Sequence, residues 1–208
     1  MNLKKLREAE SLFLLRYPDG FASEEMQAIR KKHNVDKLSE FAATALSEAA
    51  FQSQRKVLDD IVKIVTRSSM VSRFEKPRFR DYVSGLSRDD RAYLAGGYRQ
   101  LLHGDQATGF NQILDVLTEA QLAKWSLMTI VMHHYRPQVD VFVKPTTTKN
   151  VIRQFELDDL VYRPRPSWGF YAAYRDAISE MKRHVHPSLS PNNAAFTGFL
   201  MMSTAVDR

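Results

Sequence analysis

The chain is 208 residues long with 44% apolar and 26% charged residues, an ordinary globular composition that predicts a single domain. It contains no cysteine, which excludes disulfides, cysteine-ligated zinc, iron–sulfur clusters and thiol catalysis. The formal charge of +6 permits a polyanionic partner such as nucleic acid, acidic lipid or a phosphorylated ligand. The longest core-like apolar run, 127–132, is far shorter than the roughly 20 residues that cross a bilayer, and no signal peptide is predicted. We therefore expect a cytoplasmic protein without a membrane partner.

Helical periodicity dominates the N-terminal part of the chain. The first helix is predicted from Leu3 to Arg16, where a Tyr-Pro-Asp-Gly turn ends it. Ser23 and Asn34 are expected to cap the next two helices, because a serine or asparagine side chain can accept hydrogen bonds from the first backbone N–H groups. A wide apolar face then predicts a buried helix over 53–68.

The region 68–86 separates these helices from the rest of the chain. It is basic and contains Pro77, so it is the best candidate for a hinge. Ser87 then opens a capping box and a new helix. Gly96 and Gly97 lie inside this helix, where each costs about 1 kcal/mol relative to alanine. Close helix packing or a kink is therefore expected there.

A central helix is predicted in the second half of the chain. It starts near Thr118, and its second part, 127–132, is apolar on nearly all sides, which is typical of a fully buried helix. Valines alternate with other residues over 139–143, which predicts a short strand, and 160–163 is predicted as a second one.

The last two predicted helices follow clear caps. Ser167 begins the best-patterned helix of the chain, and Ser190 followed by Pro191 is expected to cap the final one. Together the elements predict an all-α, multi-helical bundle of nine or ten helices in a single domain spanning 1–208. At most one short two-stranded β element is expected, near 139–163.

Residues 120–185 carry a distinctive motif pattern. Its parts, in chain order, are Trp125, Lys144-Pro145-Thr146-Thr147-Thr148-Lys149, Tyr162, Pro166-Ser167-Trp168 and Tyr171. The pattern resembles the C-terminal portion of a family of bacterial proteins without a known activity. In that family a Trp-containing helix precedes a Lys-Pro-x-x-Thr-Lys stretch and a Tyr…Pro-x-Trp-x-x-Tyr stretch. The resemblance implies a bacterial origin and carries no mechanism.

Two segments of this region suggest an anion-binding site. A helix N-terminus offers unpaired backbone N–H groups, and neighbouring lysines and hydroxyls suit a phosphate or carboxylate. Arginines beside an indole can grip a phosphate and stack a base. The candidate residues are Lys144, Thr146, Thr147, Lys149, Arg163, Arg165 and Trp168. The alternative is a threonine-capped helix with solvated lysines, and a Trp168 that belongs to a buried helical stripe.

The most basic stretch is 63–80, in which Glu75 is the one opposing charge and Phe74 and Phe79 are interleaved. Single-stranded nucleic acid prefers such a mixture, because cations pair with its phosphates and aromatic rings stack on its bases. The candidate nucleic-acid-binding residues are Lys63, Arg67, Arg73, Lys76, Arg78 and Arg80. The alternative is a charged surface that only solvates the protein.

The histidine and carboxylate patterns predict no metal site and no cofactor. His133 and His134 would point about 100° apart on a helix, so they cannot easily chelate one ion. A nuclease of the two-carboxylate-plus-lysine type needs an acidic residue two positions before its lysine, and Phe142 occupies that place before Lys144. Serine hydrolase elbows and glycine-rich dinucleotide loops are absent from the sequence.

Three hypotheses on function follow. The leading one is a non-enzymatic binding protein for a polyanion, with nucleic acid as the favoured partner. The second is a protein-interaction or regulatory subunit, which includes a homo-oligomer. The third is an enzyme with a site near Lys144, in which His133, His134 and Tyr135 are the first residues to inspect.

Overall fold

The computed structural model describes residues 1–33 and 35–204, and within them the chain is helical, with eleven α-helices and three 3₁₀ helices. The α-helices are α1 (Leu3–Arg16), α2 (Glu24–His33), α3 (Val35–Ala45), α4 (Gln54–Arg67), α5 (Glu75–Gly85), α6 (Arg88–His103), α7 (Gln106–Glu119), α8 (Trp125–Tyr135), α9 (Pro145–Gln154), α10 (Trp168–Arg183) and α11 (Asn193–Ser203). The 3₁₀ helices are Gly20–Ala22, Glu48–Gln52 and Pro187–Leu189. The predicted all-α class is confirmed, with slightly more helices than expected. Asn34, the expected cap of the third helix, lies outside the described residues.

Local capping signals explain where several helices begin. The serine half of the predicted capping box forms, because the Ser87 hydroxyl accepts a hydrogen bond from the backbone N–H of Asp90 at 3.1 Å. The Asp90 carboxylate accepts from the same hydroxyl at 2.6 Å. The final helix begins later than predicted. Asn192, and not Ser190, is its cap, since the Asn192 side chain accepts from the backbone N–H of Ala195 at 2.9 Å.

Helix α5 runs through the basic segment that Pro77 was expected to interrupt. Pro77 is the third residue of this helix, within the first turn, where a missing backbone N–H removes no intrahelical hydrogen bond. Phe79 and Val83 are buried and hold α5 against the core. The proline is therefore compatible with a helix here, and the basic side chains remain on its outer face.

Helix α8 is the predicted central helix. Every residue from Leu127 to His134 is buried, and α3, α4 and α7 pack against it. It begins at Trp125, later than predicted, because the chain first turns through Gln121, which has a φ of 56°. No helix among the described residues, α8 included, has the length and apolar character needed to span a bilayer.

The β element expected near 139–163 is not found in the described residues, so that prediction is wrong. The backbone N–H of Val141 donates to the Tyr171 hydroxyl at 3.2 Å. The backbone N–H of Val143 donates to the Thr129 hydroxyl at 3.1 Å. Side chains of α8 and α10 thus satisfy the backbone groups that a neighbouring strand would pair.

Glycines allow α6 and α7 to approach closely. A Cβ atom at Gly109 would lie 2.2 Å from the backbone nitrogen of Leu101 and 2.5 Å from the carbonyl oxygen of Gly97. A Cβ at Gly97 would lie 3.1 Å from side-chain atoms of α7, whereas one at Gly96 would meet nothing within 4 Å. Of the two glycines singled out in the sequence, only Gly97 faces the close contact.

Replacing Gly109 with alanine is expected to lower the free energy of unfolding by about 1–3 kcal/mol, because the backbone of α6 would have to move. Gly96→Ala is the matched control. It should raise the free energy of unfolding by up to about 1 kcal/mol, since alanine favours the helix and meets open space. Urea unfolding followed by circular dichroism measures both changes. Equal effects would contradict the close approach of α6 and α7.

Candidate functional site

The two basic stretches identified in the sequence meet at the N-terminal end of α8. The Ser126 hydroxyl, in the first turn of α8, donates to Glu75 of α5, and Arg78 of α5 donates from Nη2 to the carbonyl oxygen of Ala120, the C-cap residue of α7, at 3.3 Å. Trp125, the first residue of α8, donates from Nε1 to the carbonyl oxygen of Arg163 at 2.8 Å. The start of α5 and the segment around Arg163 therefore flank the same end of the central helix.

Four exposed cations surround this end of α8. We call them the basic cluster: Arg78, Lys124, Lys149 and Arg163. Lys124 immediately precedes α8 as its N-cap residue. Lys149 lies with its Nζ 5.9 Å from the ring centroid of Tyr162, and the Tyr162 ring lies 6.4 Å from that of Trp125. These contacts join Lys149 of α9 to the same end of α8.

An exposed aromatic ring lies beside the basic cluster. Phe74 has 69% of its surface exposed, and the guanidinium carbon of Arg73 lies 4.8 Å from its ring centroid. The next residue, Glu75, accepts a hydrogen bond from the Ser126 hydroxyl at 2.8 Å. Because Ser126 belongs to α8, this bond holds Phe74 near the helix end that the basic cluster surrounds.

Other cations of the 63–80 stretch lie elsewhere. Lys63 has its Nζ 4.1 Å from the ring centroid of Phe41 on α3. Arg80 donates from Nε to the carboxylate of Asp81 at 2.8 Å, so its charge is paired. The structure therefore places only part of this stretch at the end of α8. The remaining predicted residues are the exposed Arg67 and the half-buried Lys76.

The predicted anion-binding residues are divided between two places. Lys144, and not a threonine, is the N-cap residue of α9. Lys144 and Thr147 line a cavity that also reaches His133. Trp168 is half-buried, and the guanidinium carbon of Arg175 lies 5.4 Å from its ring centroid, so a cation of this chain already covers the indole. The exposed candidates outside the cavity are Thr146, Lys149, Arg163 and Arg165.

A buried carboxylate, Asp140, organises a polar core that the sequence did not reveal. Its side chain is fully buried and accepts hydrogen bonds from Arg136 Nε at 2.6 Å, the Tyr171 hydroxyl at 3.0 Å and Arg175 Nη1 at 3.4 Å. Burial, reinforced by the charge of Asp140, raises the pKa of Tyr171 well above its ordinary value. Arg136 and Asp140 are four residues apart, but both lie after the end of α8, so the helical spacing rule did not indicate this ion pair.

Two neighbouring histidines of α8 are held uncharged by burial. His133 Nδ1 lies 3.1 Å from the carbonyl oxygen of Asp140, so this nitrogen carries the proton and donates. His134 Nε2 lies 3.0 Å from the hydroxyl of Ser68. Burial lowers the pKa of His133 to about 4, and burial together with His133 lowers the pKa of His134 to about 3. Neither imidazole adds to the positive charge of the protein at neutral pH.

The residues of the enzyme hypothesis do not converge on one site. His133 and Lys144 share the cavity. The Tyr135 ring lies 5.4 Å from the His103 ring, and His134 contacts Ser68, the C-cap residue of α4. Within residues 1–33 and 35–204, no group of three or more His, Cys, Asp or Glu side chains is arranged to hold a metal ion.

Comparison with known proteins finds no relative of the chain. No family model, no curated protein and no solved structure matches the chain. The resemblance of residues 120–185 to a bacterial family therefore stays a prediction. What the protein binds has to be inferred from its surface and its cavity.

Proposed function

We propose that this chain is a non-enzymatic binding protein whose partner is a polyanion, with single-stranded nucleic acid as the favoured class. One observation supports the proposal: residues of the two basic stretches, Glu75 and Arg163, accept hydrogen bonds from Ser126 and Trp125, the first two residues of α8. The basic cluster and the exposed ring of Phe74 then belong to one surface. Such a surface offers both charge for phosphates and a platform for bases.

The side chains of the basic cluster are exposed, and their N–H groups are donors of the kind that phosphate oxygens accept. Arg163 contacts Trp125 through its backbone carbonyl, and its side chain is exposed. Arg78 donates one Nη2–H to Ala120 and retains further N–H groups of its guanidinium fork. Lys124 is also exposed and is the N-cap residue of α8. Guanidinium and ammonium groups pair with phosphates and release their counterions, so we expect this cluster to bind the backbone of a nucleic acid.

Phe74 and Arg73 favour a single strand over a duplex. A single strand can turn an unstacked base onto an exposed aromatic ring, whereas the bases of a duplex are stacked inside it. Phe74 is 69% exposed, and Arg73 lies against its ring. We therefore expect a base to stack on this pair while the basic cluster contacts the backbone.

Fluorescence anisotropy with labelled oligothymidylate at several salt concentrations tests the proposal. We expect binding whose affinity falls steeply with salt, because phosphate contacts release counterions. The double variant Arg78→Ala/Arg163→Ala should reduce the slope of log Kd against log salt by about 1.4, at about 0.7 per lost contact. Phe74→Ala should weaken binding and leave the slope unchanged, since it removes stacking and no charge.

The matched control is Lys4→Ala/Arg7→Ala, which removes two exposed cations of α1 and changes the net charge equally. This variant should keep the slope and affinity of the unmodified protein. No binding at low salt, binding that does not respond to salt, or equal losses in the two double variants would each refute the proposal.

A further inference from the structure

Helices α2, α8, α9 and α11 enclose a cavity of about 270 Å³ that takes no part in the proposed function. Most of its wall is apolar and is formed by Phe21, Met26, Ile29, Met70, Phe142 and Met201. The exposed side chains of Ile29 and Met201 lie where the cavity opens to solvent. Its volume is just below the range of about 300–1,000 Å³ in which drug-sized ligands bind, so it suits a small molecule with an apolar body.

The titratable side chains of this wall are all basic within the described residues: Arg30, His33, His133 and Lys144. Arg30 is already paired, because its Nη2 lies 2.7 Å from the carboxylate of Asp36, which does not line the cavity. His33 is exposed, and its Nδ1 lies 2.9 Å from the Ser69 hydroxyl. Lys144 is exposed and forms no salt bridge with another described residue. The opening of the cavity therefore carries one free ammonium group and no acidic side chain of the described wall.

The first turn of α9 adds uncharged donors beside this ammonium group. Lys144 is the N-cap residue of α9, and Thr147 of the first turn is 5% exposed and lines the cavity. The backbone N–H groups of a first turn have no partner within the helix and attract negative charge. The Thr147 hydroxyl forms no hydrogen bond with another described residue. In contrast, Nε2 of His133 and the Thr197 hydroxyl are covered by protein atoms, so an occupant has no access to them.

We propose that this cavity binds a small amphiphile with a carboxylate head and an alkyl chain, such as octanoate. The carboxylate pairs with the ammonium group of Lys144 and accepts hydrogen bonds from Thr147. The alkyl chain packs against the apolar wall, where unbranched, polarisable methionine side chains adjust to its shape. An alcohol of the same length leaves the ammonium group without a counter-charge. An alkyl phosphate brings more negative charge than one free ammonium group neutralises, so a carboxylate is the better match.

Methionine-methyl NMR of the full chain, titrated with octanoate, tests this proposal. The methyl signals of Met26, Met70 and Met201 should shift, while that of Met181, which is buried and does not line the cavity, should stay in place. The matched ligand is octanol, which has a similar alkyl chain and no charge. We expect octanol to bind about tenfold more weakly than octanoate, the effect of one lost hydrogen bond between charged groups.

The Lys144→Gln variant removes the free ammonium group of the cavity. The Lys144 side chain is exposed and makes no capping hydrogen bond, so this variant should fold. It should bind octanoate about tenfold more weakly and octanol with unchanged affinity. Arg153→Gln is the matched control, because it removes an exposed cation of the same helix that does not line the cavity. This control should change neither affinity.

The comparison of octanoate with octanol uses the unmodified protein, so it tests the proposal without any substitution. Unshifted methyl signals at millimolar octanoate would overturn the proposal. So would an affinity for octanol that equals or exceeds that for octanoate in the unmodified protein. Equal losses of octanoate affinity in Lys144→Gln and Arg153→Gln would overturn it as well, because the charge of Lys144 would then have no special role.

Discussion

Replacing Asp140 with alanine is expected to lower the free energy of unfolding by about 3–5 kcal/mol. The carboxylate is fully buried and pairs with Arg136 and Arg175, so its removal leaves two largely buried guanidinium groups without a counter-charge. The Tyr171 hydroxyl also loses its acceptor. Urea unfolding followed by circular dichroism measures the change.

Asp81→Ala is the matched control for this substitution. Asp81 pairs with Arg80 at 2.8 Å, but its side chain is 65% exposed, so its loss should change the free energy of unfolding by less than about 1 kcal/mol. Asp140→Asn, which keeps the shape and removes the charge, should fall between the two. If Asp140→Ala proves no more destabilising than Asp81→Ala, the ion pairs of Asp140 with Arg136 and Arg175 do not stabilise the fold.

Stability is expected to fall as the pH is lowered from 7 to 5, because His133 and His134 are buried in their neutral form. In the unfolded chain both imidazoles bind protons below their ordinary pKa of about 6.5. In the folded chain their pKa values are about 4 and about 3, so the unfolded state binds more protons throughout this window. The free energy of unfolding should therefore decrease by about 4 kcal/mol for the pair, at up to about 1.4 kcal/mol per pH unit for each histidine.

Urea unfolding at pH 7, 6 and 5 measures this loss. The control is His133→Asn, which retains a side-chain donor for the Asp140 carbonyl and does not titrate. This variant should lose about half as much stability over the same range, because only His134 remains to be protonated on unfolding. A free energy of unfolding that is unchanged between pH 7 and 5 would show that the two imidazoles are not held neutral.

The helices could be predicted where their signals are local. The bounds of α1 follow from its apolar spacing and the turn after it, and the Ser87 cap of α6 acts within three residues. The segment at 139–143 could not be assigned in this way. Its backbone is satisfied by the hydroxyls of Tyr171 and Thr129, which lie 30 and 14 residues from their partners in the chain. An alternating pattern is the same for a strand and for a segment held by distant side chains.

The candidate site could be predicted in composition but not in arrangement. Charge alone identified the cations of 63–80 and of 144–168. Which of them share a surface depends on packing around α8, which places Arg78 beside Ala120 and leaves Arg80 with Asp81. The cavity had no local signal, because its walls come from several helices that are far apart in the sequence. The tautomer of His133 likewise depends on a residue outside α8, because its Nδ1–H donates to the carbonyl oxygen of Asp140.

Hydrogen–deuterium exchange with and without oligothymidylate tests most directly whether the two basic stretches form one binding surface. We expect slower exchange together in peptides that cover 73–78, 120–126 and 162–165, and unchanged exchange in α1. Protection confined to one of these segments, or found only in other parts of the chain, would contradict a shared surface at the end of α8.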